Sequence, residues 1–435
     1  MSGLEAQPGV EAAVGTTVGL RLDPAAHARR SAAPLADVLT GDPVTAPTRP
    51  RRETFLSFAA PCIGEEEIAE VVDTLRSDWI TIGPKTHQFE AEFAAFLGAP
   101  GALALNSCTA GLHTALVTLG IGEGDEVITT PMTFAASVNV IEHVRARPVL
   151  VDIEADTLNI DASKIEAAIT PRTRAIIAVH YAGQPVDLRT IRALADAYGL
   201  RLIEDAAHAL PARFEGEPIG ASGSPVAFSF YATKNLTTAE GGMLTGDPDF
   251  LARARVVSLH GLSRDAWRRY QRGGSWYYEI EQPGFKYNMT DVQAAIGIWQ
   301  LRKLERAQQR RREVVAAYSR AFADHPALEL PVVRPGREHA WHLYTLRLRL
   351  EALTIDRDRF IQELTERNIG NSVHFIPIHL HPYYREKYGY RPESLPVAYD
   401  SYRRMLSLPL SAGLTDADVD DVVDAVLDIA RRHAR

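Results

Sequence analysis

Between residues 102 and 205 the chain alternates short apolar runs with longer stretches that carry an apolar stripe on one side. Ala102–Leu105 reads as a strand, and Thr109 opens a helical run with Leu112, Leu116 and Leu119 on one face. Strands are expected at 126–128, 148–153, 175–180 and 200–204, with helices at 134–143, 162–169 and 188–198. Strands linked by helices at this spacing require crossover connections. The pattern therefore predicts an α/β fold with a mostly parallel sheet covered by helices. A long Arg-rich helix follows Asp291 and runs toward Tyr318. Segments 346–350, 356–367 and 373–376 then suggest a smaller α+β domain.

Residues 1–52 are rich in Ala, Pro, Gly, Thr and Arg and lack a sustained apolar period, which predicts a disordered tail with a short helix near 33–39. The expected division is this tail, a large domain over 53–300 and a small one over 301–435. At 435 residues and 46% hydrophobic, the chain has ample apolar material for such cores. Its formal charge of -8 is spread in mixed signs with no long basic run, which argues against nucleic-acid binding. Two cysteines, Cys62 and Cys108, make no disulfide framework. No apolar run reaches the ~18 residues of a membrane helix, and no signal-peptide pattern is visible. The expectation is a cytoplasmic protein without a membrane partner.

In an open α/β sheet, ligands bind beyond the carboxyl ends of the strands. Three segments stand there. Asn106-Ser107-Cys108-Thr109-Ala110-Gly111 joins a strand to a helix, as an ordinary N-cap or as an anion site at a helix N-terminus. Asp205 ends a strand, where a carboxylate is either a solvated loop residue or an acid able to keep a pyridine nitrogen protonated. His208 follows three residues later. Phe228 through Asn235 reads as a strand leaving into a loop that holds Lys234 among apolar and small residues. A lysine is normally solvated. In a desolvated pocket its charged form is disfavoured, and it becomes an amine nucleophile fit for a Schiff base. Glu240 to Met243 then turns back into a strand.

From about Phe55 to Leu427 the chain resembles the DegT/DnrJ/EryC1/StrS sugar aminotransferases, a branch of the fold-type-I pyridoxal-phosphate enzymes. The resemblance rests on Asp78 through Pro84, Asn106 through Ala110, Val179 through Gly183, Glu204 through His208, Ser229 through Asn235, and Gly284 through Asp291. Within the family it is most similar to enzymes that make 4-amino-4-deoxy-arabinose on a uridine nucleotide. Tyr231 departs from the histidine of many members, the N-terminal tail is extra, and the text after His374 is closer to other 4-keto-sugar members.

The resemblance implies a pyridoxal 5'-phosphate cofactor that passes through a pyridoxamine phosphate form. Lys234 would bind it covalently and shuttle the proton, and Asp205 would pair with the ring nitrogen. His208 would lie near the ring oxygen and Phe134 would stack on the ring face, although a phenylalanine there also suits a core. Thr109, Ala110 and Ser229 would hold the phosphate, joined by Asn288 from the other subunit of a homodimer with shared active sites. His374 would touch the sugar. The implied reaction moves an amino group from an amino acid, L-glutamate, onto a 4-keto nucleotide-diphosphate sugar. A 3-keto sugar or keto-cyclitol is the alternative acceptor, and a non-catalytic regulatory protein the alternative of another class.

Other chemistries find weaker support. A dinucleotide enzyme needs a glycine fingerprint between a strand and a helix, whereas Gly120-Ile121-Gly122-Glu123-Gly124 follows a helix and precedes a strand. Tyr383 and Lys387 have the spacing of short-chain reductases but lack that loop. His379 and His381 lack further metal ligands at convincing spacing.

Overall fold

The computed structural model describes residues 51–262 and 277–435. Its strands are β1 (Ala102–Leu105), β2 (Glu126–Thr129), β3 (Arg147–Leu150), β4 (Thr173–Val179), β5 (Arg201–Asp205), β6 (Arg213–Phe214), β7 (Glu217–Pro218), β8 (Val226–Ser229), β9 (Gly242–Thr245), β10 (Leu328–Glu329), β11 (Arg337–Glu338), β12 (Tyr344–Leu348) and β13 (Met405–Leu408). Its helices are α1 (Glu65–Arg76), α2 (Pro84–Leu97), α3 (Cys108–Thr118), α4 (Ala136–His143), α5 (Leu188–Tyr198), α6 (Pro248–Ser258), α7 (Asp291–Phe322), α8 (Arg357–Glu366), α9 (Pro382–Tyr388), α10 (Pro396–Arg404) and α11 (Asp416–Arg432).

Seven strands form one sheet in the order β1-β9-β8-β5-β4-β2-β3. Only β9 runs antiparallel to its neighbours. Successive residues of a strand face opposite sides, and here both sides are covered. Ile176 and Ala178 of β4 join one apolar cluster with Phe89, Phe93 and Leu188, while Ala175, Ile177 and Val179 join another with Leu112, Leu116 and Phe250. That double burial is why the strands read as near-continuous apolar runs.

A second sheet, β10-β12-β13, packs with α8 and α11 around Phe322, Tyr344, Phe360, Leu406 and Val426. Helix α7 belongs to both cores. Ile298, Leu301 and Leu304 pack under the large sheet, and Val314, Val315, Tyr318 and Phe322 pack in the small one. One continuous helix thus ties the two together across position 300.

Three expectations change. Residues 162–169 form two short 3-10 turns, Ala162–Lys164 and Glu166–Ala168, in place of a helix. Ile165 is the segment's sealed apolar anchor, and Pro171 stops a second turn from extending. Helix α4 starts at Ala136, leaving Phe134 ahead of it and 63% exposed, so this ring is not core. Residues 373–376 form no strand, and only Ser372 makes a bridge, to Ser407. Most of the expected tail, with its helix near 33–39, lies outside the described residues. Arg52 is held by Asp418 at 2.8 Å and Asp421 at 2.6 Å.

Candidate active site

The carboxyl ends of β1, β5 and β8 open on one edge of the sheet, and β9 starts there because it runs the other way. Register pairs Ser229, the last residue of β8, with Gly242, the first of β9. A Cβ on Gly242 would stand 2.4 Å from the backbone carbon of Ser107. Glycine is therefore required for this hairpin to lie against the start of α3 and bring Ser229 beside it.

Helix α3 is capped by Ser107, whose Oγ accepts from the N–H of Ala110 at 3.0 Å. The N–H of Ala110 is thus already engaged. The N–H groups of Cys108 and Thr109, at the first helical positions, have no carbonyl one turn earlier and carry the positive end of the helix dipole. The segment is thus a capped helix start, with donors that the cap does not use. Cys108 itself is buried, its thiol pushed far up by burial and then by Asp205, which makes it inert as a nucleophile.

Asp205 ends β5 with only 4% of its surface exposed. Its Oδ2 accepts from Ser137 Oγ at 2.6 Å and its Oδ1 from the N–H of Ala207 at 3.0 Å. Among the described residues no basic side chain forms an ion pair with it. A sealed carboxylate oriented by neutral donors alone leaves room for one positive partner.

Lys234 follows β8 in a turn closed by its N–H to Tyr231 O at 2.9 Å. Burial lowers its pKa to about 8, against the opposing pull of Cys108 and Asp205. Its Nζ stands 3.5 Å from His342 Nε2, and His342 Nδ1 stands 3.3 Å from Asn235 Oδ1. His208 is placed by the 181–183 loop, where the N–H of Ala182 donates to His208 Nδ1 at 3.2 Å. Gly183 has φ +106°, and a Cβ on it would meet His208 O at 2.8 Å. With Nδ1 accepting, the neutral ring carries its proton on Nε2 and can donate to an anionic oxygen. Burial and then Lys234 hold the His208 pKa well below the usual range, so the ring stays neutral.

Phe375 links the remaining expected residues. Its ring lies 5.8 Å from His208 and 5.9 Å from Phe134. His374 packs on Phe58 at 5.2 Å, with Nδ1 2.9 Å from Ser407 Oγ. Burial lowers its pKa to about 4. Asn288 bridges to Leu105 at the end of β1, and Lys286 Nζ donates to its Oδ1.

The chemistry matches a phosphorylated pyridine aldehyde: a neutralisable amine, a sealed acid without a cation, and a helix start with unspent N–H groups. The family model of the DegT/DnrJ/EryC1/StrS aminotransferases matches residues 61–427. The chain belongs to that family. It is 52% identical over 383 residues to the spore coat polysaccharide biosynthesis protein SpsC of Bacillus subtilis, covering 88% of this chain and 98% of SpsC. Spr1654 of Streptococcus pneumoniae, described as a sugar aminotransferase and solved in its PLP form, superposes with a TM-score of 0.81 at 36% identity, over 87% of this chain and 99% of that one. DesV of S. venezuelae, solved with a ketimine intermediate, gives 0.78 at 38% identity, over 85% and 95%. This sugar aminotransferase accordingly uses pyridoxal phosphate.

The alternative motifs dissolve in the fold. Lys387 Nζ meets Glu142 at 2.5 Å and the Tyr383 hydroxyl at 3.2 Å, a closed surface network. His379 and His381 each point a ring nitrogen at a backbone carbonyl, of Pro392 and of Ile376. Among the described residues no cluster of His, Cys, Asp and Glu is arranged to hold a metal ion. Sequence reasoning missed Ser137, Asn235, His342 and Phe375 as parts of the site. Asn235 lies inside the lysine segment already singled out. His342, 108 residues from Lys234, carries no local signal.

Proposed function

We propose that this aminotransferase moves the amino group of L-glutamate onto C-4 of a keto sugar carried by a nucleoside diphosphate, giving a 4-amino-4-deoxy sugar nucleotide. The observation that carries the reading is Lys234, a half-buried amine with its pKa near 8, within electrostatic reach of both Asp205 and His208. When bound, the cofactor supplies an electron sink and the carbonyl that exchanges amino groups. Lys234 holds it and moves the proton at the reacting carbon. Asp205, oriented by Ser137, would keep the ring nitrogen protonated, and His208, with its proton on Nε2, would lie near the ring oxygen. Phe134 would cover one ring face. Thr109, the N–H of Cys108 and Ser229 take the phosphate, with Ala110 contributing packing because its N–H serves the cap. Asn288 reaches the phosphate of the partner subunit in a homodimer with shared sites. His374, neutral and beside Phe58, contacts the sugar.

A nucleotide handle suits this chemistry, because binding energy from remote base and phosphates can orient a small hydrated sugar. The preference for carbon four rests on the resemblance at Lys286-Tyr287-Asn288 and Val373-His374-Phe375. The test is incubation of the purified protein with glutamate and a panel of 3-keto and 4-keto nucleotide sugars and keto-cyclitols, with product identification. A far higher kcat/KM on a 3-keto sugar or a free cyclitol overturns the acceptor assignment. Absence of turnover on all of them, with no absorbance change on adding glutamate, favours a non-catalytic regulatory protein.

A further inference from the structure

A second opening reaches Lys234 from the side of α1 and α7. It is a cleft of about 500 Å³ lined by Pro61, Gly64, Lys234, Arg306, Arg311 and Ala412, among others. Four cations of α7 border it: Lys303, Arg306, Arg310 and Arg311. Two of them are already neutralised. Lys303 pairs with Glu66 and Glu67, and Arg310 with Glu313 and Asp416. Among the described residues no carboxylate makes an ion-pair contact with Arg306 or Arg311, and the one within electrostatic reach of Arg306, Glu66, is already taken by Lys303.

Arg311 is the unusual one. It is 4% exposed. Its Nη1 donates to Leu410 O at 3.0 Å and Trp341 O at 3.3 Å, while its sealed Nε has no partner. Burial lowers its pKa only to about 10, so it is a cation at neutral pH. A buried guanidinium held by carbonyls alone still lacks a counter-charge, and leaving a buried charge unpaired is strongly destabilising. A solvated arginine on a surface would carry no such cost. The missing anion has a place to come from, because the cleft beside it is open and Lys234 lines it too.

We propose that Arg311, assisted by Arg306 at the rim, binds the carboxylates of the amino-acid donor next to Lys234. This inference rests on the amino-transfer reading above. In an amino acid the carboxylate is attached to the very carbon that carries the amino group, so it must lie close to Lys234. In a 4-keto nucleotide sugar the diphosphate is attached at C-1, across the ring from the reacting carbon. Two unpaired guanidinium groups in one cleft also match a dicarboxylate such as glutamate.

The test uses the full-length, cofactor-loaded protein and calorimetry with two probes: maleate, a dicarboxylate with no amine to react, and UDP, a diphosphate. Arg311→Gln is expected to weaken maleate about tenfold or more, Arg311→Lys by less, and Arg306→Gln about three- to fivefold, with UDP unchanged in all. If Arg311→Gln fails to fold because Leu410 and Trp341 lose their donor, the exposed Arg306→Gln decides. Equal maleate binding in wild type and variants overturns the inference, as does selective weakening of UDP or no maleate binding to wild type. The absorbance change of wild type with glutamate is read in parallel. Its failure alongside Arg-dependent maleate binding strikes the glutamate assignment and leaves this anion site standing.

Discussion

Nε2 of His342 stands 3.5 Å from Nζ of Lys234, and the neighbouring residue decides which of the two nitrogens donates. The Asn235 amide nitrogen gives its protons to Leu210 O at 2.9 Å and Ala340 O at 2.7 Å. Its Oδ1 must therefore face His342, and an amide oxygen only accepts. His342 then carries its proton on Nδ1 and turns a lone pair toward Lys234. Burial and then Lys234 keep its pKa well below the usual histidine range, so the ring stays neutral and the lysine faces an acceptor.

This arrangement gives a pH prediction. With Lys234 at about 8, its amine is mostly protonated below pH 8 and mostly free above it. Only the free amine attacks a carbonyl. The rate at which cofactor-free protein recaptures pyridoxal phosphate is expected to rise with pH through a midpoint near 8 and then level off, read by absorbance. Lys234→Ala is expected to abolish both that step and transamination while leaving circular dichroism and melting intact. A midpoint near 10 in wild type, or turnover by the variant, refutes the role of this lysine.

Asp205→Asn is expected to cut kcat by orders of magnitude with a smaller loss of cofactor affinity. A neutral amide cannot hold a pyridinium, whereas the phosphate contacts stay. Ser137→Ala removes a hydrogen bond to a charged group, a contribution of about 1.5–3 kcal/mol. It is expected to lower activity roughly ten- to a hundredfold through misorientation of Asp205, as measured by kcat at saturating cofactor. Equal activity in Ser137→Ala would leave Asp205 held by Ala207 alone.

The exposed ring of Phe134 separates two roles. Truncating a buried phenylalanine such as Phe228 costs about 3–5 kcal/mol, but a surface substitution typically stays within about 0.5 kcal/mol. Phe134→Ala is therefore expected to leave the melting temperature of the cofactor-free protein nearly unchanged and to weaken cofactor binding several-fold. A large melting loss without cofactor would return the residue to the core.

Much of this organisation was legible from residue patterns. Strand periods in 102–205 emerged because those strands are buried on both faces, and Leu188–Tyr198 because Asp187 caps it and Gly199 ends it. Lys234, Asp205 and His208 were visible because each closes or follows a strand whose end opens on the site. Phe134 was legible as an aromatic residue but not as an exposed one, since exposure depends on where α4 starts. The spent N–H of Ala110 depended on which hydroxyl took the cap. His342 and Arg311 were invisible because their significance lies in partners, or missing partners, brought together only by tertiary packing.

Removal of residues 1–50 is expected to leave turnover and melting nearly unchanged. The cut preserves Arg52, whose pairs with Asp418 and Asp421 fasten the start of the body to α11, and whose carbonyl accepts from Asn368 Nδ2 at 2.7 Å. The removed segment has no apolar period to bury. Extending the deletion to residue 53 is expected to lower the melting temperature by a few degrees, because those contacts go with it. A large loss of activity on the shorter cut would reveal that the tail packs on the body.

Shared sites in a homodimer predict complementation between two inactive chains. Asn288 lies beside Leu105 at the end of β1, where Lys286 donates to its Oδ1 and its Nδ2 donates to Met289 O at 3.0 Å. If Asn288 serves the partner, each composite site takes its lysine from one chain and its asparagine from the other. A heterodimer of Lys234→Ala and Asn288→Ala chains then contains one site with both defects and one with neither. Mixing the two is expected to restore activity toward half the wild-type value per heterodimer, measured after unfolding and refolding together or by co-expression with distinct tags. With heterodimers isolated and Asn288→Ala inactive alone, absence of recovery means that each site is built within a single chain.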